Sequence, residues 1–478
     1  MGNSVTDAVV VGSGPNGLAA AIRLAQAGRS VVVLEAHDEI GGGTRTSELT
    51  LKGYKHDVCA AAHPMGIVSP FLRSLPLEKY GLEWIFPEAS VAHPLADGRA
   101  VLLTQSLEET ADRLGVDGKA YHKLLKPFVC CSNELIEEAL TVSLTRIPRH
   151  PLLMARFGLK ALRSAEALAA RFKTEEARAL VAGCAAHSIL PLEQSLTAAV
   201  ALVFLVTAHM HNWPVVKGGS HAITQAMAKY FKSLGGTIRT GQRVASPGDL
   251  PEARAYLFDT SPDLLANHFA GVLPAGYVSR LKKFRYGPGV FKVDYALKGP
   301  IPWQNADCLK ASTVHLGGSF EEIAAAEAAV WKGEHPAQPY VLLTQQSQFD
   351  KTRAPKGRHT LWAYAHVPHN STFDMSEIIE NQVERFAPGF KKLVLKRHSM
   401  NCRDFHSYNA NYVGGAITGG VNDLCQFLTR PVARLNPYST PNPKIFLCSA
   451  STPPGGGVHG MCGFNAANTV LNTLTRRA

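Results

Sequence analysis

The chain has none of the signatures that mark secreted, membrane-spanning or hydrolytic proteins. Cysteine is sparse and scattered, nine residues in 478, and the closest pair is the adjacent Cys130 and Cys131. Neighbouring cysteines cannot form a Cys-x-x-Cys redox motif, and an odd, dispersed set does not read as a disulfide framework, so free thiols in a reducing compartment fit best. No apolar run approaches the ~18 residues of a membrane span; the longest candidate, 198–206, falls well short. No basic segment precedes the first apolar stretch and no small-residue cleavage site follows it, so the expected location is cytoplasmic. Neither Gly-x-Ser-x-Gly nor His-Glu-x-x-His occurs, which removes the common hydrolase readings. The pair His209-x-His211 lacks a third ligand at a recognisable spacing, so no metal site is expected.

With 46% apolar and 18% charged residues, the sequence can bury large cores, and its length suggests two domains. A formal charge of +11 points to an anionic partner: a dinucleotide, an anionic substrate or an anionic membrane surface. Nucleic acid is not expected, because the basic residues are dispersed and no recognition motif accompanies them.

The amino terminus carries the clearest chemistry. An apolar strand over 7–11 runs into Gly12-Ser13-Gly14-Pro15-Asn16-Gly17, an alanine- and leucine-rich helix is expected over 18–27, Gly28 stops it, and a second strand over 30–34 ends at Glu35. Gly12 permits the tight turn, Gly14 lets backbone approach a pyrophosphate, and Gly17 lets helix and strand pack closely. The helix start then faces the phosphates with unpaired N–H groups and its positive dipole end. Glu35 is placed to accept hydrogen bonds from ribose hydroxyls.

Just beyond Glu35 and Ala36, the cluster Gly41-Gly42-Gly43-Thr44-Arg45-Thr46 resembles the amine oxidase and phytoene desaturase superfamily of flavoproteins. The resemblance implies FAD, with Gly42, Gly43 and Thr44 under the pyrophosphate and ribityl chain and Arg45 as counter-charge. Consecutive glycines also let N–H groups crowd an anion. Trp213-Pro214 with Gly218-Gly219, a helix to about 234 and a strand over 237–240 follow the same pattern, which implies a backbone contact from Val244 to adenine. The chain departs from it at 245–251, a short turn where relatives carry an extra hairpin before the strand 254–258. Near the carboxyl terminus, a strand over 444–450 leads into Pro453-Pro454-Gly455-Gly456-Gly457-Val458-His459-Gly460-Met461 and a helix from about 464. By resemblance this turn, with Ala450, Gly460 and Met461, lies beside the flavin, its helix dipole supporting developing negative charge.

The tail, 291–297 and 350–355 are similar to the phytoene desaturase-like branch, and within it to bacterial homologues of a vertebrate pyridine nucleotide-disulphide oxidoreductase domain protein. No redox-active disulfide motif or second nucleotide unit for a nicotinamide accompanies that likeness. The covalent flavin-attachment pattern Ser-Gly-Gly-Cys is absent, so the FAD is expected to be non-covalent.

The expected fold class is α/β: a Rossmann-type FAD-binding domain built from discontinuous segments (1–70, 213–268 and 430–478), with a substrate domain of mixed sheet and helical cap (71–212 and 269–429). The segment 71–212 reads as largely helical, and strands are expected over 291–297, 340–346 and 360–366. In 151–173, Leu152, Leu153, Phe157, Leu162, Leu168 and Phe172 alternate with Arg156, Lys160, Arg163, Arg171 and Lys173, with Arg149 just before. This reads either as a cap helix with a solvated basic face or as a helix in peripheral membrane contact. His63 and His459 are the catalytic candidates by analogy, and each also reads as a structural histidine. The function expected is an FAD-dependent oxidoreductase passing a hydride from an apolar, unsaturated or isoprenoid-like molecule to flavin N5, with oxygen or a quinone as acceptor. The alternatives are a flavin-dependent double-bond isomerase, an amine oxidase, and a non-catalytic FAD-binding partner protein.

Overall fold

Short valine-rich strands alternating with helices close into a parallel sheet, because each crossover helix covers one sheet face. The computed structural model describes residues 5–141 and 147–475. Its first sheet has five parallel strands in the order Ile445–Leu447, Ala253–Phe258, Thr6–Val11, Val31–Leu34 and Thr237–Arg239. The central strand is buried on both sides, which is why it reads as an unbroken apolar run rather than an alternating one. Helices Pro15–Gln26, His221–Ser233 and Met461–Thr475 contribute to one core against this sheet. This is a Rossmann-type FAD-domain architecture.

Element boundaries differ from the expected ones by a few residues, always at caps. The first helix starts at Pro15 rather than 18, since proline at the first helical position has a preset φ and needs no N–H partner. The last helix starts at Met461 rather than 464. Residues 245–251 do form a short turn, a single 3-10 turn Pro247–Asp249 closed by a capping box between Ser246 and Asp249.

The second sheet has seven strands in the order Val394–Met400, Gly289–Leu297, His359–Val367, Val341–Thr344, Ala311–Leu316, Ala89–Pro94 and Ala100–Thr104. All neighbours are antiparallel except Ala311–Leu316 with Ala89–Pro94. Two of its strands interrupt the segment 71–212, expected to be largely helical: Ala89–Pro94 and Ala100–Thr104 form a hairpin around Asp97-Gly98, where Gly98 takes a φ of 86°. The rest of that segment caps the sheet with helices including Glu175–Ala186 and Thr197–Met210. Residues 151–173 are not one helix. Pro151–Ala161 ends at Leu162, and Ser164 caps a second, short helix, Ala165–Ala169, by accepting the Ala167 N–H. Phe157, Leu168 and Phe172 enter the cap core, whereas Leu152 and Leu162 face solvent. No helix among the described residues is long and apolar enough to cross a membrane.

Candidate active site

One cavity of about 1200 Å³ runs from the carboxyl edge of the parallel sheet to the inner face of the helical cap. Its outer arm gathers Gly12 to Asn16, Glu35, Ala36, Gly42 to Arg45, Val244 and Ala450 from segments far apart in sequence. Three of the expected cofactor residues do not reach the wall. Gly17 packs beneath the loop, where an added Cβ would overlap the Gly12 carbonyl oxygen, so its task is helix-to-strand approach. Gly460 and Met461 face helix Pro15–Gln26 instead, Gly460 so closely that a Cβ would stand 2.9 Å from Ala19 Cβ. Gly456, Gly457, Val458 and His459 present that turn to the cavity.

Hydrogen bonds fix this arm through backbone. Glu35 Oε2 accepts from the Ser13 N–H and hydroxyl at 2.9 and 2.5 Å, and Oε1 accepts from the His37 N–H at 2.9 Å. Arg45, buried at 4% exposure, donates through Nε to the Glu39 and Ile40 carbonyls and lies 3.4 Å from Glu35. Its guanidinium also sits 5.3 Å over the Tyr408 ring, whose hydroxyl donates to the Gly42 carbonyl at 2.8 Å. A Cβ at Gly43 would overlap the Tyr412 hydroxyl, so any larger residue there would displace that tyrosine.

The helix start at Gly14 has no capping side chain of its own. The Gly17 N–H donates instead to Asp259 Oδ2 at 2.8 Å, a carboxyl at the end of strand Ala253–Phe258. Burial pushes Asp259 up to about 8, and neighbouring Glu35 adds to the rise while the Gly17 N–H opposes it. At neutral pH this group is protonated and adds no negative charge where an anionic pyrophosphate would lie. Asn16 Oδ1 is buried without a partner. A helix start whose side-chain acceptor is a neutral carboxyl, together with a buried guanidinium, suits an anionic dinucleotide.

His63 and His459 both line the cavity and both are buried. Burial pulls each down to about 4, so each is neutral at physiological pH. His459 Nδ1 accepts the Met461 N–H at 3.0 Å, which leaves Nε2 to donate to the Gly455 carbonyl at 3.2 Å. Both nitrogens therefore serve the turn. His63 Nε2 pairs with the Ser220 hydroxyl at 2.8 Å, and its Nδ1 has no partner.

Behind His63 lies an ionic network that motif reading passes over. Asp57 accepts from the Ser220 N–H, the Thr46 hydroxyl and Arg353 Nη2 at 2.7, 2.7 and 2.9 Å. Arg353 Nε reaches Asp350 at 3.1 Å, and Asp350 also accepts the Gly218 N–H. Burial opposes ionisation of Asp57, but the Arg353 guanidinium and these donors hold its carboxyl below the usual range. The network joins Thr46 at the end of the second glycine cluster, the 218–220 turn and the 3-10 turn Lys351–Arg353 that follows strand Val341–Thr344. Only a weak signal for it exists in sequence: polar residues at 57 and 350–353 inside segments that otherwise pack.

The inner arm has a different character. Val200, Val203 and Phe204 of helix Thr197–Met210 face Leu342, Trp362 and Tyr364 of the mixed sheet. Trp362 and Tyr364 meet edge to face, with centroids 5.0 Å apart. The histidine on this wall, His187, stacks on Phe204 and pairs with His315 Nε2 at 3.0 Å; burial draws it down to about 3, so it is uncharged. The cavity's acidic lining residues among those described are Glu35, Asp259 and Asp263, all at the nucleotide end. Cys59 also lines the cavity; burial pushes its thiol up to about 11 despite a hydrogen bond from Tyr412, which keeps it from acting as a thiolate nucleophile.

The sequence profile of the family described as Flavin containing amine oxidoreductase matches residues 16–471. A Mus musculus relative, Pyridine nucleotide-disulfide oxidoreductase domain-containing protein 2, is 25% identical, covering 98% of this chain and 94% of its own. Phytoene desaturase (lycopene-forming) of Pseudescherichia vulneris is also 25% identical, over 95% and 96% respectively. Among solved structures, a triple mutant of putrescine oxidase superposes with a TM-score of 0.61 at 19% identity, covering 98% of this chain and 99% of that one, which is a likeness of fold.

Proposed function

Because this chain belongs to the flavin containing amine oxidoreductase family and is an FAD-dependent oxidoreductase with non-covalent FAD, we propose that it dehydrogenates an apolar, extended molecule seated in the inner arm. The carrying observation is the charge map of the cavity: among the described residues, every lining carboxyl lies at the nucleotide end, and the inner arm is mainly aliphatic and aromatic, its polar groups, Thr313 and His187 among them, being uncharged. A cationic amine would enter that arm with no anionic partner and a full desolvation cost, whereas a hydrocarbon gains about 25 cal/mol for each Å² buried. Likeness to a phytoene desaturase supports the same substrate class, an unsaturated or isoprenoid-like chain.

Bound FAD supplies the hydride acceptor. Its cradle is proposed to comprise Gly12 to Asn16, Glu35, Ala36, Gly42 to Arg45, Val244 and Ala450, together with the 456–459 turn. The helix start and Arg45 hold the pyrophosphate, and the inner arm excludes water and orients the C–H bond to be broken. Dehydrogenation also releases a proton. His63, neutral and with Nδ1 free, is the proposed group to hold it; His459 keeps the turn shaped. Oxygen or a quinone is the proposed final acceptor.

Incubating the holoenzyme with a polyene and following products together with acceptor consumption tests this reading. A product with an added double bond, formed in step with acceptor use, is expected. A product changed only in double-bond geometry, with no acceptor consumed, would instead identify an isomerase.

A further inference from the structure

Helix Pro151–Ala161 has two apolar faces, and only one of them is used by the fold. Phe157 and Ala161 enter the cap core, and Met154, Phe157, Gly158, Ala161 and Leu162 line the cavity. On the opposite side, Leu152 is 86% exposed and Leu159 76%, one above the other at a spacing of seven residues. Leu162, 55% exposed, belongs to both sides, so the helix end forms part of the cavity's rim. Ile147, just before the helix, is also largely exposed.

Basic residues dominate the exposed surface of this helix and its end, while Glu137 and Glu138 are engaged at its start by Arg149 and the Arg149 and His150 N–H groups. Arg156, Lys160, Arg163 and Arg171 form no ion pair among the described residues, and they cluster: burial and then Arg171, Arg156 and Arg163 together pull the Lys160 ammonium down. Arg171, Arg156 and Arg163 each oppose the charge on Lys160, so an anionic surface beside them would be favoured. A stable hydrophilic face would pair them with carboxylates, as Arg113 pairs with Glu109 elsewhere in the cap.

We infer that the Leu152, Leu159 and Leu162 face, with its basic surround, is a docking surface for an anionic lipid bilayer, which sets the rim of the inner arm against the acyl region. Leucines lie in the acyl boundary while arginines and Lys160 meet headgroup phosphates. The orientation lets an apolar substrate pass from bilayer to cavity without crossing water. This purpose rests on the functional reading above, but the docking itself does not need it.

Co-sedimentation of the FAD-loaded protein with vesicles of equimolar phosphatidylglycerol and phosphatidylcholine at low salt is the test. Binding is expected, weakened by roughly tenfold for each leucine lost in L152S/L159S, and weakened again in R156E/R163E. These sites are solvent-facing, so retention of flavin absorbance and melting temperature confirms that each variant is folded. Absence of sedimentation, sedimentation unchanged in L152S/L159S, or binding equally strong to pure phosphatidylcholine would overturn the inference. So would light scattering that shows a concentration-dependent oligomer dissolved by L152S/L159S, which would make the face a contact between copies of the chain. All of these readouts omit substrate, so failure here leaves the dehydrogenase reading standing, and failure to turn over a polyene leaves the docking standing.

Discussion

Backbone shapes the outer arm of the cavity, which is lined by the helix start at Pro15, the Gly42–Thr44 turn and the 456–459 turn, whereas side chains from a helix and a sheet shape the inner arm. Under the proposed function the first arm takes the flavin nucleotide, and its demands fall on residues that must be small. The second would take the substrate by shape and apolarity, and its demands fall on side-chain volume and polarity. Many sequences satisfy the second and few the first, so cofactor and substrate are specified with very different stringency.

The largest expected effect comes from cutting the link between the two halves. Arg353 is buried with 0% exposure between Asp57 and Asp350, so Arg353→Ala leaves uncompensated carboxylates and should cost about 3–5 kcal/mol of stability. Arg353→Lys should recover little of it, since one ammonium cannot reproduce the two donors. Urea denaturation checks both variants. Gly17→Val should cost about 3 kcal/mol and abolish flavin retention, because the side chain has no space against Gly12; flavin released on acid precipitation of the purified protein measures it. Val203→Asp probes the other arm. It should leave flavin content intact while slowing turnover of an apolar substrate by roughly 30-fold, the cost of desolvating a polar group against hydrocarbon.

The last effect concerns pH. Asp259 is raised from 3.8 to about 8, so its contribution to stability is complete below 3.8 and is lost as pH rises through about 8. FAD affinity should weaken over the same rise, since an ionised carboxylate beside Gly17 repels pyrophosphate. Asp259→Asn keeps an acceptor for the Gly17 N–H and should flatten both profiles, as followed by melting temperature and flavin titration across pH.

The same contrast explains which parts of the molecule could be read from sequence. Gly12 to Gly17, Glu35 and Gly42 to Arg45 are legible because tight turns and close approaches admit few residue types. The hairpin 89–104 went unread although Asp97-Gly98 marks its turn, since its two strands are short and surrounded by helical pattern. Gly460 and Met461 were assigned to the cofactor wall by position in a motif, but the helix begins at Met461 and turns both inward. Arg353 and Asp57 are 296 residues apart, and nothing local announces a pair formed between the 3-10 turn Lys351–Arg353 and the short strand His56–Asp57. The break after Leu162 depends on Ser164 acting as a cap, which separates one apolar-basic stretch into an exposed helix and a buried one.

Anaerobic titration of the flavin-loaded enzyme with a polyene and, separately, with a primary amine addresses the central claim most directly. The polyene should bleach the oxidised-flavin absorbance and the amine should leave it unchanged. Bleaching by the amine with the polyene inert would contradict it and make this an amine oxidase.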